Sequence, residues 1–309
     1  MTKFIMLIGL PGSGKTTYAR SFLQQNEEWV HLSSDEITRR NRLPGESADH
    51  QNTFEEMYRE TAFHLENGKN VIYDATNLAS KRRKSVLNRV EKFQPITEAV
   101  VFLTPYDTLK SRNSQRQDAE RVPDPVIDRY IRSFQLPRKD EKFNCIRILS
   151  NSPYAGMDSE KLKKQAFSYE ENDVFFQSFN ETRTMTETVE MRILLQQTYT
   201  MIDEIHKEVP DADEQELLSW AVLLHGIGKA HVRKDLPIEL DNFYGYEHVS
   251  TYLAYPILLS LQFPIPFIYD VLLLIDEHVL GKQLKRGKVK RRIGLKNYER
   301  LEKMWRIIG

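Results

Sequence analysis

The sequence predicts an α/β domain, in which a parallel sheet is flanked by helices, followed by a second domain made only of helices. Two observations predict the first domain. Five short apolar runs alternate with amphipathic helical patterns over residues 1–152, and a glycine-rich loop joins the first run to the first helix. A third observation predicts the second domain, because apolar residues recur with helical spacing over residues 173–309. The polar stretch 153–172 is expected to be a linker.

Composition excludes several classes of protein. Lysine plus arginine and aspartate plus glutamate each number 44, so the net charge is zero and indicates no particular partner. A hydrophobic fraction of 40% and a charged fraction of 28% are typical of a globular chain and not of a disordered one. The single cysteine, Cys145, excludes an internal disulfide and a multi-cysteine zinc site. Its apolar neighbours predict a small core residue.

We expect a cytoplasmic protein without a membrane span. The first predicted strand begins at Phe4, which leaves no room for a signal peptide. The most apolar stretch, 249–275, is long enough to cross a membrane. It is interrupted by Pro256, Pro264, Pro266 and Asp270. These residues predict two buried helices instead of one span.

The first apolar run, Phe4–Ile8, leads into a loop with the pattern G-x-x-x-x-G-K-[ST] and then into a helix over 16–25. Strand, loop and helix in this order form the context that a P-loop requires. Its glycines let backbone N–H groups turn toward phosphates at the helix N-terminus. Lys15 is suited to the β- and γ-phosphates and Thr16 to Mg²⁺. The predicted nucleotide-binding residues are Gly9, Gly12, Ser13, Gly14, Lys15, Thr16 and Thr17.

A second run, Val30–Leu32, ends in Ser33-Ser34-Asp35-Glu36. An acid just past the carboxyl end of a parallel strand lies where ligands collect in such sheets. Asp35 is therefore placed to accept the proton of an attacking hydroxyl group. Helix capping is the alternative, since this composition is typical of an N-cap, and both roles hold if Ser34 caps and Asp35 catalyses.

The third run, 70–74, follows an amphipathic helix that stops at Gly68, and it again ends in an acid. Because Asp74 is expected beside the P-loop, we predict that it binds Mg²⁺ either directly or through another ligand of the ion. The basic cluster Lys81–Lys84 begins the next helix, and a solvated helix face is its commoner meaning. Val100–Leu103 is predicted to be the fourth strand.

Two arginines, Arg112 and Arg116, are four residues apart and are predicted to share one helix face. Two guanidinium groups on one face suit the charge that develops on a transferring phosphoryl group. Two surface arginines are the alternative interpretation. The fifth strand, Cys145–Leu149, completes the predicted sheet.

Together these segments resemble the kinase domain of polynucleotide 5′-kinases, the phage and bacterial end-healing enzymes. The resemblance is carried by Gly9–Thr16, Ser34–Glu36, Asp74–Leu78, Arg82–Arg83, Arg112–Arg116 and Val122–Pro123, in order and at the expected spacing. It covers about half of the chain. The Arg-Asn-Ser-x-Arg segment and the Asp-Ala-Thr-Asn strand end are more selective than the P-loop, which many kinases share.

The resemblance implies a kinase that uses ATP and Mg²⁺ to phosphorylate the 5′-hydroxyl of RNA or DNA. Lys15 and Thr16 would hold phosphate and Mg²⁺, and Asp35 would be the general base. Arg116 and Arg112 would form a lid over the γ-phosphate. The acceptor side would comprise Arg39, Asp74, Thr76, Arg82 and Arg83. A polynucleotide ligase is the partner expected for such an enzyme, and a homo-oligomer is compatible with the sequence.

One position departs from the family pattern. Three residues after the general base the family usually has an arginine that contacts the acceptor phosphate, whereas this chain has Thr38. Arg39 and Arg40 follow directly. A shift of one residue on a helix turns the side chain by about 100°, so Arg39 would approach from another direction.

The second half resembles an all-helical HD domain whose metal ligands are largely lost. The resemblance is carried by His225–Lys229, Phe243–His248 and Asp276–His278. Gly226 stands where the bridging aspartate is expected, Thr188 where the first histidine is expected, and Tyr246 replaces the next one. Because a metal site needs several converging ligands, we expect His225 to be a hydrogen-bonded core residue and the domain to lack phosphohydrolase activity.

Seven cations lie in the stretch 282–292 with no acid among them. They are Lys282, Lys285, Arg286, Lys288, Lys290, Arg291 and Arg292. A solvated surface loop is one interpretation. Contact with the phosphates of a polynucleotide is the other, because backbone contacts set affinity without reading sequence. The second domain is then a scaffold that helps to hold nucleic acid.

The leading interpretation is therefore an ATP-dependent polynucleotide 5′-hydroxyl kinase. A kinase of small molecules or nucleotide sugars on the same fold is one alternative, although a small acceptor needs no extended basic surface. An HD-type phosphohydrolase of 2′,3′ ends with a regulatory P-loop is another. The third is a nucleotide-switched nucleic-acid binder without catalysis, which would need no base such as Asp35.

Overall fold

A computed structural model describes residues 1–41, 50–117, 121–149, 156–179, 189–233 and 244–309. The chain forms two compact units. The first consists of Met1–Thr104, Leu109–Ile127 and Pro137–Ser150, and the second of Pro105–Thr108, Asp128–Leu136 and Asn151–Gly309. We call them the sheet unit and the helical unit.

The sheet unit contains five parallel strands in the order β2-β3-β1-β4-β5. Their bounds are β1 Lys3–Gly9, β2 Trp29–Ser33, β3 Asn70–Asp74, β4 Ile96–Phe102 and β5 Cys145–Leu149. The strand β1 is central, and all its residues after Lys3 are buried, which explains its unbroken apolar sequence. This architecture confirms the predicted α/β fold.

Helices connect the strands and cover the sheet. Their bounds are α1 Lys15–Leu23, α2 Ser34–Asn41, α3 His50–Glu66, α4 Ser80–Val90, α5 Tyr106–Ser114 and α6 Asp124–Ser133. Helix α1 carries Ala19 into a buried cluster with Ile5, Leu7, Ile72 and Val100. This apolar contact holds the helix that follows the glycine-rich loop firmly against the strands.

The fifth strand lies at an edge of the sheet and pairs only with β4 among the described residues. Its residues are only partly buried, and Cys145 is exposed. The prediction that Cys145 is a core residue was therefore wrong, because an apolar run on an edge strand does not guarantee burial on both faces.

The helical unit contains ten further helices among the described residues. They are α7 Ser159–Ala166, α8 Asn172–Gln177, α9 Val189–Glu208, α10 Ala212–Leu224, α11 Lys229–Arg233, α12 Tyr246–Ser260, α13 Ile265–Glu277, α14 Leu280–Gln283, α15 Arg286–Ile293 and α16 Leu295–Ile308. Trp220 is fully buried at their centre, where its ring meets those of Phe167, Phe175 and Phe263. Such aromatic contacts stabilise the packing beyond simple area burial.

The apolar stretch 249–275 forms two helices, as predicted, but the break is not at Pro256. That proline lies inside α12. The chain turns at Gln262, whose φ of 59° is in the left-handed region, and Pro264 then caps α13. Within the part of the chain that the structure describes, no helix is long and apolar enough to span a membrane.

Candidate active site

The glycine-rich loop between β1 and α1 is built on three glycines with different physical roles. Gly12 and Gly14 have φ values of 80° and 96°, a conformation that favours glycine. Gly9 has no such φ, but a Cβ there would lie 2.7 Å from the hydroxyl of Ser13 and 3.0 Å from Phe102. The loop therefore depends on glycine both for its backbone turns and for its packing against β4.

Lys15 lies at the centre of the loop. Its ammonium donates hydrogen bonds to the carbonyls of Gly9, at 2.9 Å, and Leu10, at 2.8 Å. Burial lowers the pKa of this amine to about 8. The carboxylates of Asp74 and Asp35 raise it, and the guanidinium of Arg116 lowers it further. The charges of three sequence-predicted residues therefore act on the same ammonium group.

Ser13 is buried, and its hydroxyl has no hydrogen-bond partner within the part of the chain that the structure describes. The carbonyl of the same residue accepts a hydrogen bond from the hydroxyl of Thr104, at 3.0 Å. A buried hydroxyl without a partner is unusual and suits a ligand that supplies acceptors. Phosphate oxygens are such acceptors, so the loop fits the triphosphate of a nucleotide.

The carboxylate of Asp74 ends β3 beside the start of α1. Its Oδ2 accepts a hydrogen bond from the hydroxyl of Thr16, at 2.8 Å, and another from Nε2 of His31, at 3.1 Å. Hydroxyl and carboxylate oxygens are the ligand type that Mg²⁺ prefers. Asp74 thus contacts the P-loop directly through Thr16, and its role in binding Mg²⁺ stays a prediction.

His31 was missed by the sequence analysis. It lies on β2, and no motif marks it. Its contact depends on β2 lying next to β3 in the sheet, where Ser33 is in register with Asp74. Strand order was not predicted from the sequence, so no signal there could have found this residue.

Asp35 is the second residue of α2, and it is exposed. Acids in the first turn are favoured by the helix dipole, and Glu36 is the neighbouring one. The cap comes from Ser33, whose hydroxyl accepts the backbone N–H of Glu36 at 3.4 Å. The expected cap, Ser34, lies inside the helix, so that assignment was wrong by one residue.

The position that departs from the family pattern, Thr38, is turned toward α3. Its hydroxyl donates to the carbonyl of Ser34, at 2.8 Å, and lies 3.2 Å from the hydroxyl of Thr53. Arg40 forms ion pairs with Glu56 and Glu60 of α3. Its guanidinium is committed to that pairing.

Arg39 is exposed on α2, and its Nε donates to the carbonyl of Asp35 at 3.4 Å. Among the described residues, Arg40 is therefore the arginine that forms ion pairs with acids, whereas Arg39 contacts a backbone carbonyl. Although Arg39 is shifted by one residue from the position of the family arginine, it lies on the same helix as Asp35.

The turn after β3 is anchored to the P-loop. The carbonyl of Thr76 accepts the backbone N–H of Gly9 at 3.0 Å. The next residue, Asn77, is buried with a φ of 49°, and its amide donates to the carbonyl of Leu7 at 2.8 Å. The Asp-Ala-Thr-Asn segment thus positions the loop in addition to ending the strand.

Arg82 and Arg83 have opposite environments. Arg82 is exposed, and its guanidinium lies 3.9 Å from the centre of the Phe54 ring. Arg83 is fully buried and forms a two-pronged ion pair with Glu141, with both N–O distances 2.7 Å. It also donates to the carbonyls of Asn77 and Leu78. A substrate cannot reach this guanidinium, so the expected acceptor contact of Arg83 does not fit the structure.

The two lid arginines do not share a helix face, because α5 ends at Ser114. Arg116 lies in the turn beyond, where its backbone N–H donates to the carbonyl of Asn113 at 3.2 Å. Arg112 donates to the carbonyl of Gly12 at 3.4 Å. One arginine therefore touches the P-loop, and the other acts on Lys15 by its charge.

In the helical unit, His225 is buried, and its Nδ1 donates to the carbonyl of Val222 at 2.6 Å, as predicted for a core histidine. His278 is also buried, and its Nε2 accepts the hydroxyl of Tyr246 at 2.8 Å. His248 pairs with Asp276 at 2.7 Å. Thr188 and Phe243 lie outside the described residues. Among those described, no group of three or more His, Cys, Asp or Glu side chains is arranged to hold a metal ion.

Comparison with known proteins places the sheet unit among nucleotide-binding domains. Residues 4–137 match a family model described as an AAA domain. A protein of Acanthamoeba polyphaga mimivirus, described as a bifunctional polynucleotide phosphatase/kinase, is 25% identical over 155 residues, which is 48% of this chain and 33% of that protein.

A second relative is the L-seryl-tRNA(Sec) kinase of Methanococcus maripaludis. It is 27% identical over 142 residues, which is 43% of this chain and 52% of that protein. The chain thus spans between a third and about half of the length of these curated relatives.

Among solved structures, a chain of the Pnkp1/Rnl/Hen1 RNA repair complex is 24% identical, with 43% of each chain covered and a TM-score of 0.39. A TM-score of this size carries no argument about function. The motif, its strand–loop–helix context and the family match together identify the sheet unit as a P-loop domain of the kinase type, which binds ATP.

Proposed function

We propose that this P-loop kinase domain transfers the γ-phosphoryl group of ATP to the 5′-hydroxyl of a polynucleotide. The observation that carries the proposal is the P-loop geometry, in which Lys15 lies against the loop carbonyls and Thr16 contacts Asp74 at 2.8 Å. The similarity to a polynucleotide phosphatase/kinase over 48% of the chain supports the choice of acceptor.

On the donor side, the loop and Lys15 bind the phosphates. Phosphate oxygens replace the carbonyls of Gly9 and Leu10 as partners of the ammonium, and the Ser13 hydroxyl gains an acceptor. Thr16 and Asp74 are the residues that would hold Mg²⁺. That ion would neutralise charge on the β- and γ-phosphates.

On the acceptor side, Asp35 takes the proton of the attacking hydroxyl. Its exposed carboxylate at the start of α2 is accessible to a substrate. As the bond from the hydroxyl oxygen to the γ-phosphorus forms, the bond from that phosphorus to the β–γ bridging oxygen breaks and ADP leaves. Arg112 and Arg116 offset the negative charge that spreads over the transferring group. General-base catalysis of this kind contributes about 10²- to 10⁴-fold.

We assign the acceptor phosphates to polar and basic residues on the helix of Asp35 and on the elements that follow β3. Arg39 takes the place of the family arginine that Thr38 replaces, and Arg82 and Thr76 lie on the elements that follow β3. Arg83 is left out of the proposed acceptor site because its guanidinium is buried.

A second candidate acceptor is a hydroxyl of an aminoacyl group carried on RNA. The observation that favours it is the similarity to L-seryl-tRNA(Sec) kinase, which is slightly higher in identity than that to the mimivirus protein. The donor chemistry would be the same, and only the acceptor would differ.

The helical unit is proposed to be a degenerate HD-like scaffold without phosphohydrolase activity. Its buried histidines are occupied by carbonyl, hydroxyl and carboxylate partners. A polynucleotide ligase would use the 5′-phosphate product, so pairing with such a ligase is part of this proposal.

The test is transfer of labelled γ-phosphate from ATP to 5′-hydroxyl RNA, 5′-hydroxyl DNA and seryl-tRNA, using the full chain. Asp35→Asn should lower the rate about 10²- to 10⁴-fold on the true acceptor. Glu36→Gln is the matched control, since it removes the same charge from the same helix turn, and its rate should stay within threefold of the wild type.

Transfer to seryl-tRNA alone would refute the 5′-hydroxyl end as the acceptor and support the aminoacyl hydroxyl group instead. Labelling of none of the three acceptors, with ATP still bound, would refute both. Release of phosphate from 3′-phosphate or 2′,3′-cyclic ends in the same reactions would refute the inactive helical unit.

A further inference from the structure

The structure separates the seven cations of the basic stretch 282–292 into three with partners, three that line a groove, and the exposed Arg286, which belongs to neither set. Three of the seven are held by partners within the helical unit. Arg292 is buried in an ion pair with Glu277 at 2.6 Å, so it does not belong to the exposed basic surface. Lys290 lies 4.7 Å from the centre of the Tyr298 ring, and Lys282 donates to the carbonyl of Gly309 at 2.7 Å.

The second set lines an open groove of about 600 Å³ at the start of α15. The groove is lined by Gln283, Leu284, Lys285, Gly287, Lys288 and Arg291. Three of these residues are exposed cations and none is an acid. From Lys285 to Arg291 the helix rises about 9 Å, so the three cations are spread along the helix and do not meet at one point.

Gly287 lies inside α15, between two basic residues of the groove. A Cβ at this position would meet no atom within 4 Å, so packing does not require glycine. Glycine within a helix is less stable than alanine, and its common use is to let a ligand approach the backbone closely. The groove therefore contains a feature that weakens the helix and opens its surface.

The charges at the start of α15 also oppose the helix. Lys285 is its N-cap residue and Lys288 lies in its first turn, which contains no acid and has no side-chain cap. Cations are disfavoured at a helix N-terminus, where the backbone carries partial positive charge. A bound anion would relieve this repulsion.

We propose that this groove binds the sugar–phosphate backbone of a single-stranded polynucleotide, a choice of ligand that rests on the proposed function. No aromatic side chain lines it, so bases do not stack there and binding does not depend on sequence. An anionic membrane fits less well. The large apolar residues of α15, Val289 and Ile293, are buried and cannot insert into lipid.

The test measures the affinity of the full chain for a fluorescent 20-nucleotide strand. Binding is detected by fluorescence anisotropy, without ATP, at salt concentrations between 50 and 200 mM. A 5′-phosphate on the strand prevents transfer, so the result is independent of kinase activity. The groove variant is Lys285→Ala/Lys288→Ala/Arg291→Ala. The control, Lys282→Ala/Arg286→Ala/Lys290→Ala, removes the same charge from the same stretch but from residues that do not line the groove.

The groove variant should bind at least tenfold more weakly, and its plot of log affinity against log salt should be shallower by about two. The control should lose less than threefold. Gly287→Ala should weaken binding severalfold without lowering the melting temperature, because alanine favours the helix.

Equal losses of affinity in the two triple variants would refute the groove as the binding site, since net charge alone would then explain binding. Unchanged affinity in Gly287→Ala would refute the inference that the strand closely approaches the backbone of α15 at Gly287. Binding of wild type to anionic phospholipid vesicles but not to the strand would overturn the ligand class. If these binding results hold while no acceptor is labelled, the kinase proposal fails and the groove stands.

Discussion

At the scale of single residues, the carboxylate of Asp74 illustrates how one side chain joins three elements. Its Oδ2 receives hydrogen bonds from Thr16 at the start of α1 and from His31 on β2. Both partners are needed to fix the orientation of that oxygen. Groups that orient a metal ligand typically change metal affinity or activity by about 10- to 100-fold when they are removed.

We therefore expect His31→Phe to raise the Mg²⁺ concentration for half-maximal phosphoryl transfer by about tenfold or more, because Asp74 loses one of its two donors. The measurement is the transfer rate as a function of Mg²⁺, with a melting curve to establish that the variant folds. His64→Phe on α3 is the control. An identical Mg²⁺ dependence in wild type and His31→Phe would contradict a positioning role.

At the scale of elements, two buried histidines join α10 and α13. The rings of His225 and His278 are 5.3 Å apart at 88°. Burial lowers the pKa of His225 to about 4 and that of His278 to about 3, and the ring of His225 further disfavours protonation of His278. Both are therefore neutral in the fold at pH 6.5, the ordinary pKa of histidine.

This arrangement predicts a loss of stability in mild acid. Between pH 6.5 and about 4 the unfolded chain binds protons at both residues and the folded chain does not, so the free energy of unfolding falls as the pH falls. Each proton contributes about 1.4 kcal/mol per pH unit. Urea unfolding at pH 7, 6 and 5 should show a smaller decline for His278→Gln than for wild type. Parallel declines would contradict the prediction.

The elements of the sheet unit could be predicted from the sequence because each strand is a short apolar run between turn residues. The strand 70–74 has the predicted bounds, and the P-loop is where its motif indicates. The predictions that failed concern contacts between residues that are far apart in the sequence. An arginine beside an arginine gives no sign that Arg83 faces Glu141, 58 residues away, while Arg82 faces solvent.

The same limit applies to the candidate site. The charges of Asp35, Asp74 and Arg116 were assigned from motifs, and they act together on Lys15. His31 has no motif and acquires its contact from strand order alone. The basic stretch was visible as composition, but only packing separates Arg292, which is buried, from the cations that line the groove.

At the scale of the whole molecule, the two units are interleaved along the chain. Residues 105–108 and 128–136 belong to the helical unit, although they precede the last strand of the sheet. Phe134 is fully buried there, with its ring 5.5 Å from that of Tyr252, and the ring of Tyr106 lies 5.6 Å from that of His231.

A chain ending at residue 152 should therefore fail as an independent kinase domain, although it retains every proposed catalytic residue. Phe134, Leu136 and Tyr106 would lose their buried surroundings and expose apolar surface. The measurements are solubility and a melting curve beside the full chain. A soluble shortened chain with a cooperative transition and wild-type transfer would contradict this prediction.

The interleaving also orders events during synthesis. The segment 109–127, which carries Arg112 and Arg116, is bracketed in the chain by residues that pack with the helical unit. A ribosome makes the P-loop first, and the partners of those bracketing residues, such as His231 and Tyr252, more than a hundred residues later. The arginines are thus secured on both sides only after most of the chain has emerged. A product that ends before residue 231 would therefore lack the contacts that flank both arginines.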